Sequence, residues 1–330
     1  MFNFLKKKDP IISLIQKLKL KQDYHYAGNS QNGQEILKKS TEYPHSSFFG
    51  GMGSGKTVAN FVCTLFTALS HPDDLIIIID PYKGATDYTP LFAYKRVLPF
   101  VNNSQYINSV IDFVYVEIEK RSLEFKRTNF YSLDKYNKNF KPKLARIHLI
   151  IEEAYILDSL LNFDINENDH TTYAYKLKSI LTLGKKFGVQ VSLVSNGSNS
   201  LKINQGLLGL FSEIYAFRPS SEQDAINLGR PNSAYLSFSD RGVAYSSDGK
   251  VKFPYISSEQ AAKYITNDLS ENDNIPYLLS HSFEDLALLK KDPDEICKIS
   301  PAKAFYIDDL DFWEFIENGT SPLIQKFKND

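Results

Sequence analysis

Residues 46–57 read SSFFGGMGSGKT, and this stretch decides the fold. Gly50, Gly55, Lys56 and Thr57 fit the phosphate-loop pattern G-x-x-x-x-G-K-[ST]. Phe48 and Phe49 end a short apolar run that reads as a buried strand. After Thr57 the apolar residues Val58, Phe61, Val62, Leu65 and Leu69 recur at helical spacing. Strand, glycine loop and helix is the setting in which the motif binds a polyphosphate, because loop N–H groups and the positive helix end converge on the same point. The expected binding residues are Gly50, Gly51, Met52, Gly53, Ser54, Gly55, Lys56, Thr57 and Val58. Lys56 is expected to reach the β- and γ-phosphates, and Thr57 to hold Mg²⁺.

Working outward, Leu75–Asp80 is a run of β-branched residues bounded by Pro81 and Gly84, and reads as a core strand. Strand–helix–strand order predicts a parallel sheet with right-handed crossovers. Residues 101–130 read as a helix. Ile147–Ile151 is a further buried strand that ends in Glu152-Glu153. Residues 173–187 form a helix stopped by Gly188, Val189–Ser195 is a strand, and Glu213–Phe217 another. Residues 221–254 read as turns and short strands, and residues 255–330 as an acidic, mostly helical extension.

Hydrolysis needs one carboxylate near the metal and another to activate water. Glu152 is expected on Mg²⁺ and Glu153 as general base, since strand ends of a parallel sheet face the ligand crevice. The plain alternative is two acids capping the next helix. Asp80 competes for the metal position. Asn196, at the end of the neighbouring strand, is placed to bond the γ-phosphate, against a simple turn role for Asn196-Gly197. The lysine loop and the twin glutamates are thus expected side by side on adjoining strand ends.

Composition bounds the class. The 330 residues carry 42% apolar residues and a net charge of −1, which suits a globular chain and does not announce a nucleic-acid binder as a whole. No apolar run approaches the length of a membrane helix, and no signal peptide is expected. Cys63 and Cys297 suggest neither a disulfide framework nor a zinc site. Charge is uneven: residues 1–21 carry a net +5 and residues 251–330 a net −7. Residues 1–21 have an amphipathic rhythm, readable as a membrane-surface or partner-docking helix or as an ordinary packed terminal helix. Residues 131–146 interleave Lys135, Lys138, Lys141, Lys143 and Arg146 with Tyr131, Tyr136 and Phe140, readable as a nucleic-acid patch or a solvated connector.

Taken in order, these pieces resemble the motor domain of the FtsK/SpoIIIE (HerA/FtsK-type) DNA translocases over about residues 26–250. Pro44-His45 stands ahead of the phosphate strand. Asp80-Pro81, with Lys83 after an intervening Tyr82, is similar to that family's Asp-Pro-Lys strand end. Glu117–Arg121, Tyr136-Asn137, Ile150–Glu153, Leu183–Val189 and Ile214–Arg218 with Ser220-Ser221 match further motifs. Glu152 replaces the usual Asp, Ser195–Ser198 departs from Thr-Gln-Arg-Pro, and Glu213 sits where Arg is frequent. The resemblance implies an α/β RecA-like P-loop NTPase with a mainly parallel central sheet flanked by helices. It would span residues 22–254, between the basic segment 1–21 and a small, mostly helical C-terminal extension, 255–330. It implies ATP and Mg²⁺ as cofactors, a homo-hexameric ring, non-sequence-specific DNA in the pore, and a cytoplasmic location at or near the membrane's inner face. The layout fits a bare motor for conjugative or mobile-element DNA transfer. Arg121 is the candidate for an arginine reaching a neighbouring subunit's nucleotide, against a surface pair with Glu117. Type VII-like protein-secretion ATPases share the family, and a nucleotide-gated scaffold is the third reading.

Overall fold

The computed structural model describes residues 9–83, 85–94, 96–101, 104–140, 143–154, 172–197 and 205–272, with two short strands at 278–279 and 305–306. In chain order the elements are α1 (Pro10–Leu20), β1 (Tyr24–Ser30), β2 (Glu35–Lys39), β3 (His45–Phe49), α2 (Lys56–Ser70), β4 (Leu75–Asp80) and a 3-10 helix over Thr86–Ala93. Next come β5 (Val97–Val101), α3 (Ser104–Arg127), α4 (Leu133–Asn139), β6 (Ile147–Ile151), α5 (Tyr173–Phe187), β7 (Val189–Ser195), α6 (Gln205–Leu208) and β8 (Glu213–Phe217). The last are α7 (Glu222–Asn227), a 3-10 turn over Pro231–Tyr235, β9 (Val243–Ser246), β10 (Gly249–Lys252), α8 (Ser258–Asn272), β11 (Leu278–Leu279) and β12 (Phe305–Tyr306).

The main sheet has the order β2-β1-β10-β9-β8-β3-β7-β6-β4-β5. Strands β8 through β5 in that order run parallel, and β9, β10, β1 and β2 extend the sheet antiparallel. This is the mixed α/β architecture, with a mainly parallel core sheet flanked by helices, that the sequence reading expects. Its cause is visible in β4, all of whose residues are buried. Ile77 and Ile79 face one core with Leu149, Ile151, Val191 and Leu193, covered by α3 and α5; Ile76 and Ile78 face the other with Phe66, Leu65 and Val194, covered by α1, α2 and α8. A strand buried on both faces reads as a near-continuous apolar run, here Leu75–Ile79. Each such side chain contributes about 1.5–3 kcal/mol on burial.

Two expectations change and one alternative is decided. Residues 22–45 and 97–101 hold strands that the reading missed; β1, β2 and β5 are short, and Pro99 masks β5. Helix α1 takes the packed-helix alternative: Leu14, Ile15 and Leu18 are buried in the core beside α2. Its flanks are tied down by Tyr264 Oη donating to Asp9 at 2.8 Å and by Lys19–Asp268 at 3.0 Å. Those contacts also join α8 to the body, with Ala261 and Ile265 in the same core, so breaks at 21/22 and 254/255 cut through packed structure. Residues 1–8 and most of 273–330, including the rest of the helical extension, lie outside the described residues.

The basic-aromatic stretch is also used internally. Tyr136 and Phe140 stack at 4.7 Å, and Tyr136 stacks on Phe125 at 5.2 Å. Arg146 pairs with Asp134. Lys141 lies outside the described residues. Glu213 is likewise structural: it is buried, pairs with Lys38 of β2 and accepts the Ser247 N–H at 2.9 Å, tying β8 to β2 and to the β9–β10 turn.

Candidate functional site

The parallel strands β3, β7, β6 and β4 end on one side of the sheet, and the expected site residues gather there. The loop after β3 needs its glycines at specific places. Gly55 sits at φ 96°, and a Cβ there would meet the Gly242 nitrogen at 2.7 Å. A Cβ at Gly50 would meet Ser54 Oγ at 2.6 Å and Phe217 Cβ at 2.7 Å. The loop is held from outside: Gly51 N–H donates to Arg218 O (2.8 Å), Gly242 N–H to Ser54 O (2.9 Å) and Arg218 to Met52 O (2.9 Å).

Helix α2 begins at Lys56 with Gly55 as N-cap, which supplies no side-chain acceptor, and its first turn carries no acidic residue. Such a helix start offers unpaired N–H groups to an anion. Lys56 is buried, with 6% exposure, and burial lowers its pKa while Glu153 and Glu152 oppose that shift. A cation in this position, beside an uncapped helix end, fits a polyphosphate.

The loop lysine and the twin glutamates meet, but not on neighbouring strands. β7 lies between β3 and β6, and it delivers Asn196 between the two. Lys56 Nζ donates to Asn196 Oδ1 at 2.7 Å, and Asn196 Nδ2 donates to Glu153 Oε2 at 3.3 Å. Glu153 Oε1 also receives Lys83 Nζ at 2.8 Å. Asn196 is therefore a bridge between the loop and Glu153, which a plain turn role does not require.

Glu152 is buried beside Thr57. Thr57 Oγ1 donates to Glu152 Oε2 at 3.4 Å, and Tyr88 Oη donates to Oε1 at 2.5 Å; Asn60 Nδ2 donates in turn to Tyr88 at 2.7 Å. Burial raises the Glu152 carboxyl to about 7; the Tyr88 hydrogen bond and Lys56 oppose, and the charges of Asp80 and Glu153 add to the rise. A hydroxyl and one carboxylate this close suit a cation that keeps most of its ligands as water and phosphate oxygens, as Mg²⁺ does. Among the described residues no group of three or more His, Cys, Asp or Glu could hold a metal without such help.

Two candidates fall away. Asp80 spends its carboxylate on backbone: Oδ1 accepts the N–H of Tyr82 (3.1 Å) and Lys83 (2.9 Å), and Oδ2 that of Ala85 (2.9 Å). Arg121 cannot reach a neighbour's nucleotide. It is 0% exposed; its Nε donates to Glu117 at 2.6 Å and its Nη1 to Phe187 O at 2.6 Å. The pairing with Glu117 was foreseeable from i,i+4 spacing, but its burial under α5 was not.

Val58 lines a cavity of about 350 Å³ beside the loop, with Gly55, Arg241, Phe253, Pro254 and Tyr255. Met52 is 87% exposed at the loop tip, and Ser54 is buried. Sequence reasoning missed Tyr88 and the contact role of Lys83. No local pattern marks Tyr88; its place in a 3-10 helix after β4 sets it against Glu152.

No family model and no curated protein matches the chain. Solved structures do. EssC (ATPases 2 and 3) from Geobacillus thermodenitrificans is 17% identical with a TM-score of 0.62, over 77% of this chain and 50% of that one. The cytoplasmic domain of the type VII secretion ATPase EccC of Thermomonospora curvata is 19% identical with a TM-score of 0.59, over 73% and 30%. The pCW3 conjugation coupling protein TcpA, solved as a monomer with ATPγS, is 16% identical with a TM-score of 0.61, over 74% and 70%. The chain thus aligns with half or less of the EssC and EccC chains. At these identities the likeness establishes the shared fold. No helix among the described residues is long and apolar enough to cross a membrane.

Proposed function

We propose that the protein hydrolyses ATP and uses the cycle to move a polymer, with DNA as the first candidate. One observation carries the chemistry: the hydrogen-bonded chain Lys56–Asn196–Glu153, which joins the phosphate loop to the carboxylate of a core strand end. In this reading Lys56 and the α2 N-terminus hold the β- and γ-phosphates. Thr57 and Glu152 would hold Mg²⁺, which would supply positive charge against that of the transferred phosphoryl group. Glu153 accepts the proton of the attacking water as general base. Asn196 aligns Glu153 with the γ-phosphate. The base and ribose occupy the cavity at Val58 and Tyr255, a volume suited to a small ligand.

The motif order shared with DNA translocases supports DNA, as does the fold shared with a conjugation coupling protein. The fold shared with EssC and EccC supports a second reading, a secreted polypeptide as the moving polymer. A homo-hexameric ring acting on the cytoplasmic side of a membrane fits both. The test is ATP hydrolysis with and without double- and single-stranded DNA, and with a secreted peptide, alongside the mass of the assembled particle. Stimulation by DNA supports the translocase. Stimulation by peptide alone selects the secretion motor. Tight ATP binding with negligible turnover under every condition selects a nucleotide-gated scaffold.

A further inference from the structure

We infer that Lys83 is a positioning residue for Glu153, held in place by the Asp80 turn at the end of β4. The inference rests on the ATPase reading above and names a residue outside the loop and the strand-end glutamates.

Strands β4 and β6 run side by side, with Ile79 opposite Ile151 and the Glu152 N–H bonded to Ile79 O at 2.8 Å. The turns that follow the two strands are therefore neighbours. Asp80, 2% exposed, commits its carboxylate to the N–H groups of Tyr82, Lys83 and Ala85. A buried carboxylate that accepts three main-chain hydrogen bonds rigidifies the turn it closes. That turn presents the Lys83 ammonium 2.8 Å from Glu153 Oε1.

Glu153 is itself held in an uncommon backbone conformation, at φ 47°, and Ala85 on the opposing turn is at φ 54°. Such non-glycine conformations persist only where the surroundings over-determine them. Here the two side-chain ties to Glu153 do so. Asn196 holds Oε2 from the loop side, and Lys83 holds Oε1 from the β4 side. Each oxygen keeps a lone pair for water.

The charge balance gives the tie its purpose. Asp80, Glu152 and Glu153 are three carboxylates at adjacent strand ends, and an arriving triphosphate adds further negative charge. Unopposed, that repulsion would drive Glu153 away from the line of attack. Lys83 supplies the local positive charge that keeps the base in place. Burial works to lower the Lys83 pKa, but its bond to Glu153 prevails and raises it. An exposed ion pair contributes little; this one has a 5% exposed carboxylate and a backbone-anchored lysine turn.

The test measures ATP turnover and, separately, affinity for ATPγS, in the wild type, K83A, K83R, E153Q and K83A/E153Q. Failure of the wild type to hydrolyse ATP would overturn the ATPase reading, whatever Lys83 does. Given turnover, K83A should lower kcat about tenfold to a hundredfold, the scale of a misplaced catalytic group. Its ATPγS affinity should stay within about threefold, because ground-state binding is not what Lys83 supplies. K83R should recover most of the loss. In the E153Q background K83A should cost nothing more, since the two act as one unit. Unchanged kcat in K83A, an equal further loss in the E153Q background, or an affinity loss as large as the kcat loss would each overturn the inference. The last would make Lys83 a phosphate ligand instead. If K83A fails to fold, K83M, which keeps the chain length and removes the charge that meets Glu153, carries the same expected loss and the same overturning outcomes.

Discussion

The two ends of the parallel strands are equally rich in buried titratable groups, yet they are built differently. At the N-terminal ends those groups stitch elements together. His148 pairs with Asp74 at 2.7 Å. His45 accepts the Val191 N–H on Nδ1 at 3.1 Å, and burial pushes its pKa down to about 4, so it stays neutral. His71 meets Ser70 Oγ at 2.7 Å and Gln22 O at 3.1 Å, and Arg96 donates to His71 O at 2.8 Å. At the C-terminal ends, like charges are crowded: Asp80, Glu152 and Glu153 converge with Lys56 and Lys83, and Glu153 is in a left-handed backbone conformation. At one end these groups tie neighbouring elements together; at the other they gather around the phosphate loop, where Lys56, Asn196 and Glu153 form a hydrogen-bonded chain. The cause is topological: parallel strands feed their loops and helix N-termini into the same edge, so anion-seeking amides collect there.

That contrast can be broken by experiment, beginning with the largest expected effect. Lys56→Ala should reduce ATP hydrolysis to background and abolish detectable ATPγS binding at concentrations that saturate the wild type, while the thermal midpoint moves little. Glu153→Gln should bind ATPγS normally and turn over about 10²–10⁴-fold more slowly, as loss of a general base does. Wild-type turnover in either variant would remove the functional meaning of the C-terminal edge.

At the opposite edge the signs reverse. Asp74→Ala removes the carboxylate that His148 Nε2 meets and should cost about 1–3 kcal/mol of stability by urea unfolding, with kcat per folded molecule unchanged. A loss of turnover without a loss of stability would erase the distinction between the edges.

The smallest effect sharpens it. Glu152 has a folded-state pKa near 7, above the ordinary 4.5. The native state therefore holds a proton that the unfolded chain releases, so nucleotide-free stability from this group is full below the lower value and declines as pH rises toward 7. His45 acts in the opposite direction: its lowered pKa means that stability is lost as pH falls from 6.5 toward about 4. Glu152→Gln should thus raise the melting temperature of the nucleotide-free protein at about pH 8 and hardly at about pH 5. A constant offset across that range would show that Glu152 is ionised throughout.

Much of this site was legible along the chain because its parts are local. The glycine loop, Lys56-Thr57 and the strand-ending Glu152-Glu153 each sit in a short segment whose apolar run declares a buried strand. Asn196 was legible for the same reason, as the residue after Val189–Ser195. What was not legible depends on contacts between distant segments. Arg121 looked available because helix spacing reports which residue lies four positions away and not that Phe187 closes over it. Helix α1 was left open between a docking segment and a packed terminal helix because an amphipathic stripe shows that a face must be covered, not by what. The antiparallel wing β9-β10-β1-β2 joins strands more than two hundred residues apart, for which no local pattern exists.

The amino-acid order alone therefore determined the parallel sheet, the phosphate loop and the pair of acids at a core strand end, since period and turn chemistry act within a few residues. Only the tertiary structure decided that β7 separates loop from acids and bridges them with Asn196, that Asp80 serves a turn, and that Lys83 faces Glu153. Those relations arise from strand order, and strand order is settled by which apolar faces bury one another across the whole chain.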